Sequence, residues 1–389
     1  MNMKWTKLSL VAALAMSSAF AGGDIAPAEP VVEAPVVEAA ACNSNTTIDS
    51  KAVLYYYTDD NFGANSVFDK ETSSLAAAVT VDVSHKIMDG IIGNLSGVGY
   101  SNLMNESISF GGFEYWTDNP KDTGAFLNVA NITATYGDTT FVLGRQLLFT
   151  PQISGFDWLL ASGSYEAYTV MNKSIPNVTL TASYITEFRG VNSGVDFEEL
   201  EGDNWTVGAA YSDAFDASIW YYNVDDAYDL SYTQVYADAG MKIAGIDVAA
   251  QYVNTDWDVG DASNVYGIKA SGSVGGFDLM GAYVHTADAP AGFIDNDAIY
   301  TTMWNSLGSN AIGDAFKVEA STEFSGFAVT ADYVNYEETV AGEEGSEFDL
   351  ILGYGLTNCI SLDAIYSNTD YGDGSGDNQA LELIATYKF

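Results

Sequence analysis

Six segments of the chain repeat one pattern, and that pattern constrains the fold more than any other feature. Each opens on an apolar or aromatic residue, alternates apolar with polar or small positions, and reaches a tyrosine six residues later. They run Val178 to Tyr184 in VTLTASYIT, Phe215 to Tyr221 in FDASIWYYN, Ile246 to Tyr252 in IDVAAQYVN, Phe277 to Tyr283 in FDLMGAYVH, Phe327 to Tyr333 in FAVTADYVN and Ile360 to Tyr366 in ISLDAIYSN. A period of two describes a β-strand with one oily and one wet face. Most copies lie 31–37 residues apart, room for two strands, a tight turn and a longer loop. The links before the copies are minimal (VGGF at 274–277, FSGF at 324–327, LTNC at 356–359, AGI at 244–246), whereas TDWDVGDASN and VAGEEGSE follow them. Short turns at one end and long polar loops at the other predict an all-β, transmembrane, antiparallel up-and-down β-barrel. A propeller would need four strands per blade and gives no such asymmetry.

About eighteen strands can be counted, the first near 51–58 and the last at 378–389. Segments 91–102, 164–172 and 229–240 alternate poorly, so the count is open by two. The terminal strand NQALELIATYKF puts Leu381, Leu383, Ala385, Tyr387 and Phe389 on one face. Six residues cover ~20 Å of strand, roughly 15 Å of depth once tilted. The aromatics at strand ends therefore reach opposite borders of a lipid band, with Tyr184, Tyr221, Tyr252, Tyr283, Tyr333, Tyr366 and Phe389 at the interfaces. An eighteen-strand barrel is too wide for wall side chains to fill. The expected function is passive diffusion of ions and small hydrophilic solutes; the alternative is a structural or adhesive surface barrel with a closed pore.

Lys4 and Lys7, a short apolar run and Ala19-Phe20-Ala21 make residues 1–21 a signal peptide. Its removal takes two lysines and no acid, so the net charge of −40 becomes −42. That charge repels phosphate and excludes nucleic acid as a partner. Hydrophobic residues make up 48% of the chain, which argues against disorder. The low-complexity stretch 22–50, rich in Pro, Glu and Ala, reads as a periplasmic linker, leaving 51–389 as the barrel domain. The chain has two histidines, His85 and His285, and no HExxH, GxSxG or phosphate loop, so no enzymatic reading is expected.

AVLYYYTDDNFG in the first strand, TTFVLGRQLL at 139–148, MNKSIPNVTLTASY at 171–184 and the ending ATYKF carry a resemblance. Over residues ~50–389 the chain resembles the epsilonproteobacterial, Campylobacter-type major outer membrane porins, and more distantly the OprD-like porins. The resemblance implies an outer-membrane location, a homotrimer, and a third long loop, here 147–163, folded into the pore. It also implies that the assembly machinery reads the terminal aromatic strand.

Arg145 and Arg189, the only arginines, flank that loop. Porin constrictions set basic against acidic side chains, which makes Arg145, Arg189 and Lys317 candidates for the basic wall and Asp157, Glu187, Glu319, Asp332 and Asp363 for the acidic one. Strict parity places Arg145 with Phe141 and Leu143, so a pore role requires a bulge at Gly144 or the strand ending there. Inward acids outnumber inward lysines, and carboxylate rings predict cation preference. Asp370, Asp373 and Asp377 in DYGDGSGD are candidate Ca²⁺ ligands; the alternative is a solvated surface sharing divalent cations with lipopolysaccharide. No other cofactor is expected. Barrel closure would bring Cys42 and Cys359 to one rim in an oxidising compartment, where a disulfide is allowed.

Overall fold

The computed structural model describes residues 45–104, 123–155, 159–193, 196–227, 230–294, 296–340 and 342–389. Eighteen strands follow one another: β1 (Thr46–Asp59), β2 (Ser73–Met88), β3 (Ile91–Asn102), β4 (Thr123–Tyr136), β5 (Thr139–Gln146), β6 (Ser164–Asn172), β7 (Val178–Arg189), β8 (Glu198–Ser212) and β9 (Asp216–Ala227), then β10 (Leu230–Ile243), β11 (Ile246–Trp257), β12 (Ser263–Val274), β13 (Phe277–Ala287), β14 (Ala311–Phe324), β15 (Phe327–Thr339), β16 (Gly345–Gly355), β17 (Ile360–Asp370) and β18 (Asp377–Lys388). Each pairs antiparallel with its sequence neighbours, and β18 returns to β1 from Lys51↔Lys388 to Asp59↔Ala380, closing the sheet. The expected count of eighteen holds.

The short links are tight because their backbones can be. Ala244-Gly245, Gly275-Gly276 and Ser325-Gly326 all take positive φ at both positions. This is the twist of a two-residue hairpin turn that matches the twist of the strands it joins.

Side chains sort by face as the alternation requires. On β14, Phe316 and Val318 are each 48% exposed while Lys317 between them is 6% exposed. On β18, Leu383 is 41% exposed between Glu382 at 1% and Ile384 at 3%. An uncovered apolar outer wall of this extent is stable in hydrocarbon and not in water. Tyr184, Tyr252, Tyr283 and Tyr366 lie on this wall and send their hydroxyls to Asp203, Asn264, Asp314 and Gln379. Ring in oil and hydroxyl on a polar rim is what an interfacial tyrosine does. Tyr333 and Phe389 are exposed on the same wall, and Tyr221 pairs there with Val235.

Three local features depart from simple alternation or from the linker boundary. β1 starts at Thr46, so Thr46–Ser50 belong to the barrel and not to the linker. β8 starts at Glu198, so most of the acidic stretch 196–203 is strand. It pairs with β7 through Glu187↔Glu199 and Phe188↔Glu198. Strands that continue beyond the apolar band stand in water and have no reason to alternate. The third is a bulge: Ile185 and Glu187 are consecutive partners of β8, leaving Thr186 out of register and moving Glu187 to the outer face. The signal peptide, the rest of the linker and Cys42 lie outside the described residues; Cys359 is exposed in the turn between β16 and β17.

Replacing Val318 on the outer wall with lysine is expected to cost about 2–4 kcal/mol in a urea titration of the barrel refolded in liposomes. A cost near zero would mean that water wets this face.

Candidate functional site

The lumen is not lined by strands alone. After β5 the chain turns inward, and Leu148, Ile153 and Leu160 are 4%, 2% and 0% exposed. Ile153 packs with Tyr165, Trp220, Tyr222 and Tyr236 on one side of the barrel, whereas Leu160 packs with Val53, Tyr55 and Ile384 on the other. The described residues of 147–163 therefore lie against both sides of the lumen. Arg189 holds its returning end. The guanidinium donates to Asn128 Oδ1 at 2.5 Å, to Ser162 O at 2.7 Å and to Ser193 O, and lies 3.9 Å from the Phe126 ring centre. Asn192 Oδ1 accepts the N–H groups of Leu160 and Ala161, both at 3.1 Å.

A second inward segment, 288–310 between β13 and β14, runs along the opposite wall. Gln234 Nε2 on β10 donates to Gly292 O at 2.6 Å, and Gln251 Nε2 on β11 to Ala298 O at 2.6 Å. A Cβ at position 292 would come within 2.7 Å of the Tyr232 ring, so only glycine lets the backbone pass there. Lys269 Nζ on β12 lies 4.8 Å from the Tyr300 ring centre. Residues 301–306 then spread their contacts over five strands. Tyr336 Oη on β15 donates to Thr301 O at 3.0 Å, and Lys317 Nζ on β14 to Thr302 O at 3.0 Å. Trp304 Nε1 donates to Glu382 on β18 at 2.6 Å and Asn305 Nδ2 to Ser367 on β17 at 2.7 Å. Glu347 on β16 accepts the backbone N–H groups of Asn305 and Ser306 at 2.7 and 2.6 Å. The two loops meet where Asn296 donates to Gln152 O at 3.3 Å and to Pro151 O at 2.7 Å.

The lumen is thus a built site: a wall of acids, a few lysines and two loops bonded to it. No protein-family model matches the chain, and no curated protein matches it. Solved structures do. The fold is similar to that of Pseudomonas aeruginosa OpdK with vanillate (16% identity, 88% of this chain and 98% of that one, TM-score 0.74). It is also similar to P. aeruginosa OccK8 (OprE), with 14% identity, 88% and 98% coverage and TM-score 0.72. Acinetobacter baumannii OccAB2 gives 14% identity, 89% and 98% coverage and TM-score 0.72. At these identities the likeness is one of fold. The Occ barrels stand on the OprD-like side of the sequence resemblance.

The candidate residues do not share one place. Lys317, Glu319 and Asp332 come together on the inner wall, with Lys317 Nζ 3.2 Å from Asp332 and 4.0 Å from Glu319. Asp363 shares the inner face of β17 with buried Ile365 and Ser367. Arg145 and Glu187 leave the lumen. Gly144 does take φ +112°, but the β4–β5–β6 register is unbroken, so Arg145 keeps the parity of exposed Leu143. It reaches Glu166 at 3.4 Å and Glu187 at 3.9 Å and lies 4.1 Å from the Phe197 ring centre, an ion-pair cluster on the outer face of the rim. Arg189 stays inside but is only 1% exposed, holding loop 147–163 rather than facing open solvent. Asp157 lies outside the described residues. Asp370 and Asp373 accept local N–H groups from Gly372 and Ser375, and no group of three or more His, Cys, Asp or Glu fit to hold a metal ion occurs among the described residues.

Sequence reasoning missed Trp304, Tyr300, Glu347 and the whole segment 288–310. Its signal was composition: APAGFIDNDAIYTTMWNSLGSNA is apolar, as 147–163 is, where TDWDVGDASN and VAGEEGSE are acidic. An exposed loop has no reason to carry Ile, Tyr, Met and Trp. Asp297 within it is buried and accepts N–H groups from Ile299 at 3.0 Å and Ser309 at 2.7 Å; burial pushes its carboxyl above the ordinary range, against those hydrogen bonds.

Two outcomes follow. Arg189→Ala should cost about 2–4 kcal/mol, because it strands buried carbonyls, and should open 147–163 to chymotrypsin. Asp297 binds its proton more tightly when the loop is seated, so its contribution is full below the ordinary carboxylate value and is lost as pH rises through the raised one. Amide-exchange protection of 288–310, corrected for intrinsic rates, should therefore fall as pH rises above about 4. Asp297→Asn should flatten that dependence.

Proposed function

We propose that this chain is an outer-membrane porin of the epsilonproteobacterial type, passing ions and small hydrophilic solutes down their gradients with a preference for cations. The observation that carries the charge preference is where the basic side chains go. Arg145 pairs on the outer face, Arg189 is enclosed by loop 147–163 and its neighbours, and Lys317 is paired with Asp332. Acids remain on the inner face at several heights: Asp82 with the parity of Ala78 and Thr80, Glu319 beside Lys317, Asp363 on β17. A low-dielectric wall with a net negative lining concentrates cations and repels anions. Vanillate, present with OpdK, is an anion, and nothing on this wall argues for extending that ligand here.

On this reading the long loops face the outside and the short turns the periplasm. The acidic loops meet lipopolysaccharide through shared divalent cations, and Phe389 ends the strand that the assembly machinery reads. Trimerisation rests on the sequence resemblance. The alternative, a surface barrel with a closed pore, gains support from the two loops that meet at Asn296 and Pro151.

Planar-bilayer reconstitution separates the two. The porin reading expects discrete current steps and, across a KCl gradient, a reversal potential of cation-selective sign; Asp82→Asn with Asp363→Asn should bring that potential toward zero. An anion-selective sign overturns the preference, and no steps favour the closed barrel.

A further inference from the structure

We propose that Glu382 is the positioning residue that keeps the channel path clear, by latching Trp304 of segment 288–310 to the seam where the barrel closes. This proposal rests on the channel reading and concerns how the same lumen is kept open.

The geometry begins at the seam. Glu382 lies on β18 between Tyr57 of β1 and Ile365 of β17 in the strand register. Its two oxygens are used by donors from two different parts of the chain: Tyr55 Oη on β1 reaches Oε2 at 2.7 Å, and Trp304 Nε1 reaches Oε1 at 2.6 Å. One carboxylate therefore ties first strand, last strand and inserted loop together. It is 1% exposed, as is Tyr55.

A buried carboxylate is a poor choice for stability alone. Its neighbours Ile351, Ile365 and Ile384 are buried apolar side chains, and an apolar residue among them would avoid the cost of dehydrating a charge. What the carboxyl group supplies is position: two hydrogen bonds with fixed directions. Position matters here because of how segment 288–310 is built. It joins β13 to β14, which are adjacent in the sheet, yet residues 304–305 contact β17 and β18. At about 4.8 Å per strand, β18 lies roughly 19 Å around the wall from β14. No covalent link holds the segment there. Glu347 through the N–H groups of Asn305 and Ser306, Ser367 through the Asn305 amide, and Lys317 and Tyr336 through the carbonyls of Thr302 and Thr301 hold the residues on either side of the indole. With the Trp304 bond lost, the indole is free to leave the wall and swing into the solvent path while its neighbours stay bonded, and the expected consequence is intermittent closure.

Single-channel recording in planar bilayers tests this, in a background carrying Cys42→Ser and Cys359→Ser. Trp304→Phe removes the indole N–H and keeps a ring; it should raise closure frequency at least tenfold. Glu382→Gln, which leaves the Trp304 N–H only a neutral amide oxygen, should raise it by a smaller factor, and Tyr55→Phe, which leaves the Trp304 bond in place, by less again. Retained heat-modifiable migration on gels checks that each barrel is closed, and Trp304→Phe, on the loop side, serves if Glu382→Gln does not fold. In the Trp304→Phe background, Asn305→Cys with Ser367→Cys should restore steady current when oxidised and return the closures when reduced. Steady wild-type current with unchanged closure frequency in both Trp304→Phe and Glu382→Gln overturns the latch and leaves the porin reading standing. A wild type without current, in which Trp304→Phe nonetheless speeds chymotryptic cleavage within 288–310, sinks the porin reading and keeps the latch.

Discussion

Every other feature of this protein depends on the pairing of β1 with β18. A single-layer sheet in hydrocarbon leaves no unpaired edge, because each stranded N–H or C=O would cost several kcal/mol with no water to take it. The chain meets that demand from Lys51↔Lys388 to Asp59↔Ala380, and Phe389 adds its N–H to Ser50 O at 2.9 Å. Once the sheet closes, it divides space into two media, and alternation along each strand becomes an instruction about which medium each side chain meets. That is why Lys317 and Val318, adjacent in sequence, have opposite surroundings.

Closure also creates a problem that the wall cannot solve. Eighteen strands enclose more space than their inward side chains fill. Two long connections enter that space and convert wet wall into packed interior at their own level. The two larger apolar clusters there gather around Ile153, Trp220 and Tyr300 and around Tyr55, Leu160 and Ile384. Where a loop covers the wall, acids such as Glu347 and Glu382 become acceptors for its N–H groups instead of facing solvent. Where none of the described loop residues covers it, as at Asp82, the side chain stays exposed. One polar inner face thus has two surroundings, inserted loop and solvent, decided by what lies against it.

The fold was legible in the sequence to a degree unusual for so diverged a chain, because a barrel writes its topology locally. Turn length, alternation and terminal aromatics are short-range signals, and they carried the count of eighteen strands. The site was legible only in part. Lys317, Glu319, Asp332 and Asp363 obey parity and lie inside. Glu187 does not, because one bulged residue, Thr186, reverses the faces beyond it, and bulges have no sequence signature comparable to alternation. Arg145 followed parity against its attractive functional reading. Segment 288–310 was visible as a gap between strands, but its apolar composition becomes meaningful only when a lumen exists to receive it.

The sequence by itself determined the periodic strands, the two kinds of connection, the apolar outer wall and the acidic balance of the chain. These are properties of neighbours along the backbone and need no knowledge of distant partners. Only the tertiary structure decided which loops enter, which carboxylates they cover and which cations remain available to the lumen. Those choices pair residues hundreds of positions apart, as Tyr55 with Glu382. Whether a side chain bonds to such a partner or to water is set by burial, which no local pattern encodes.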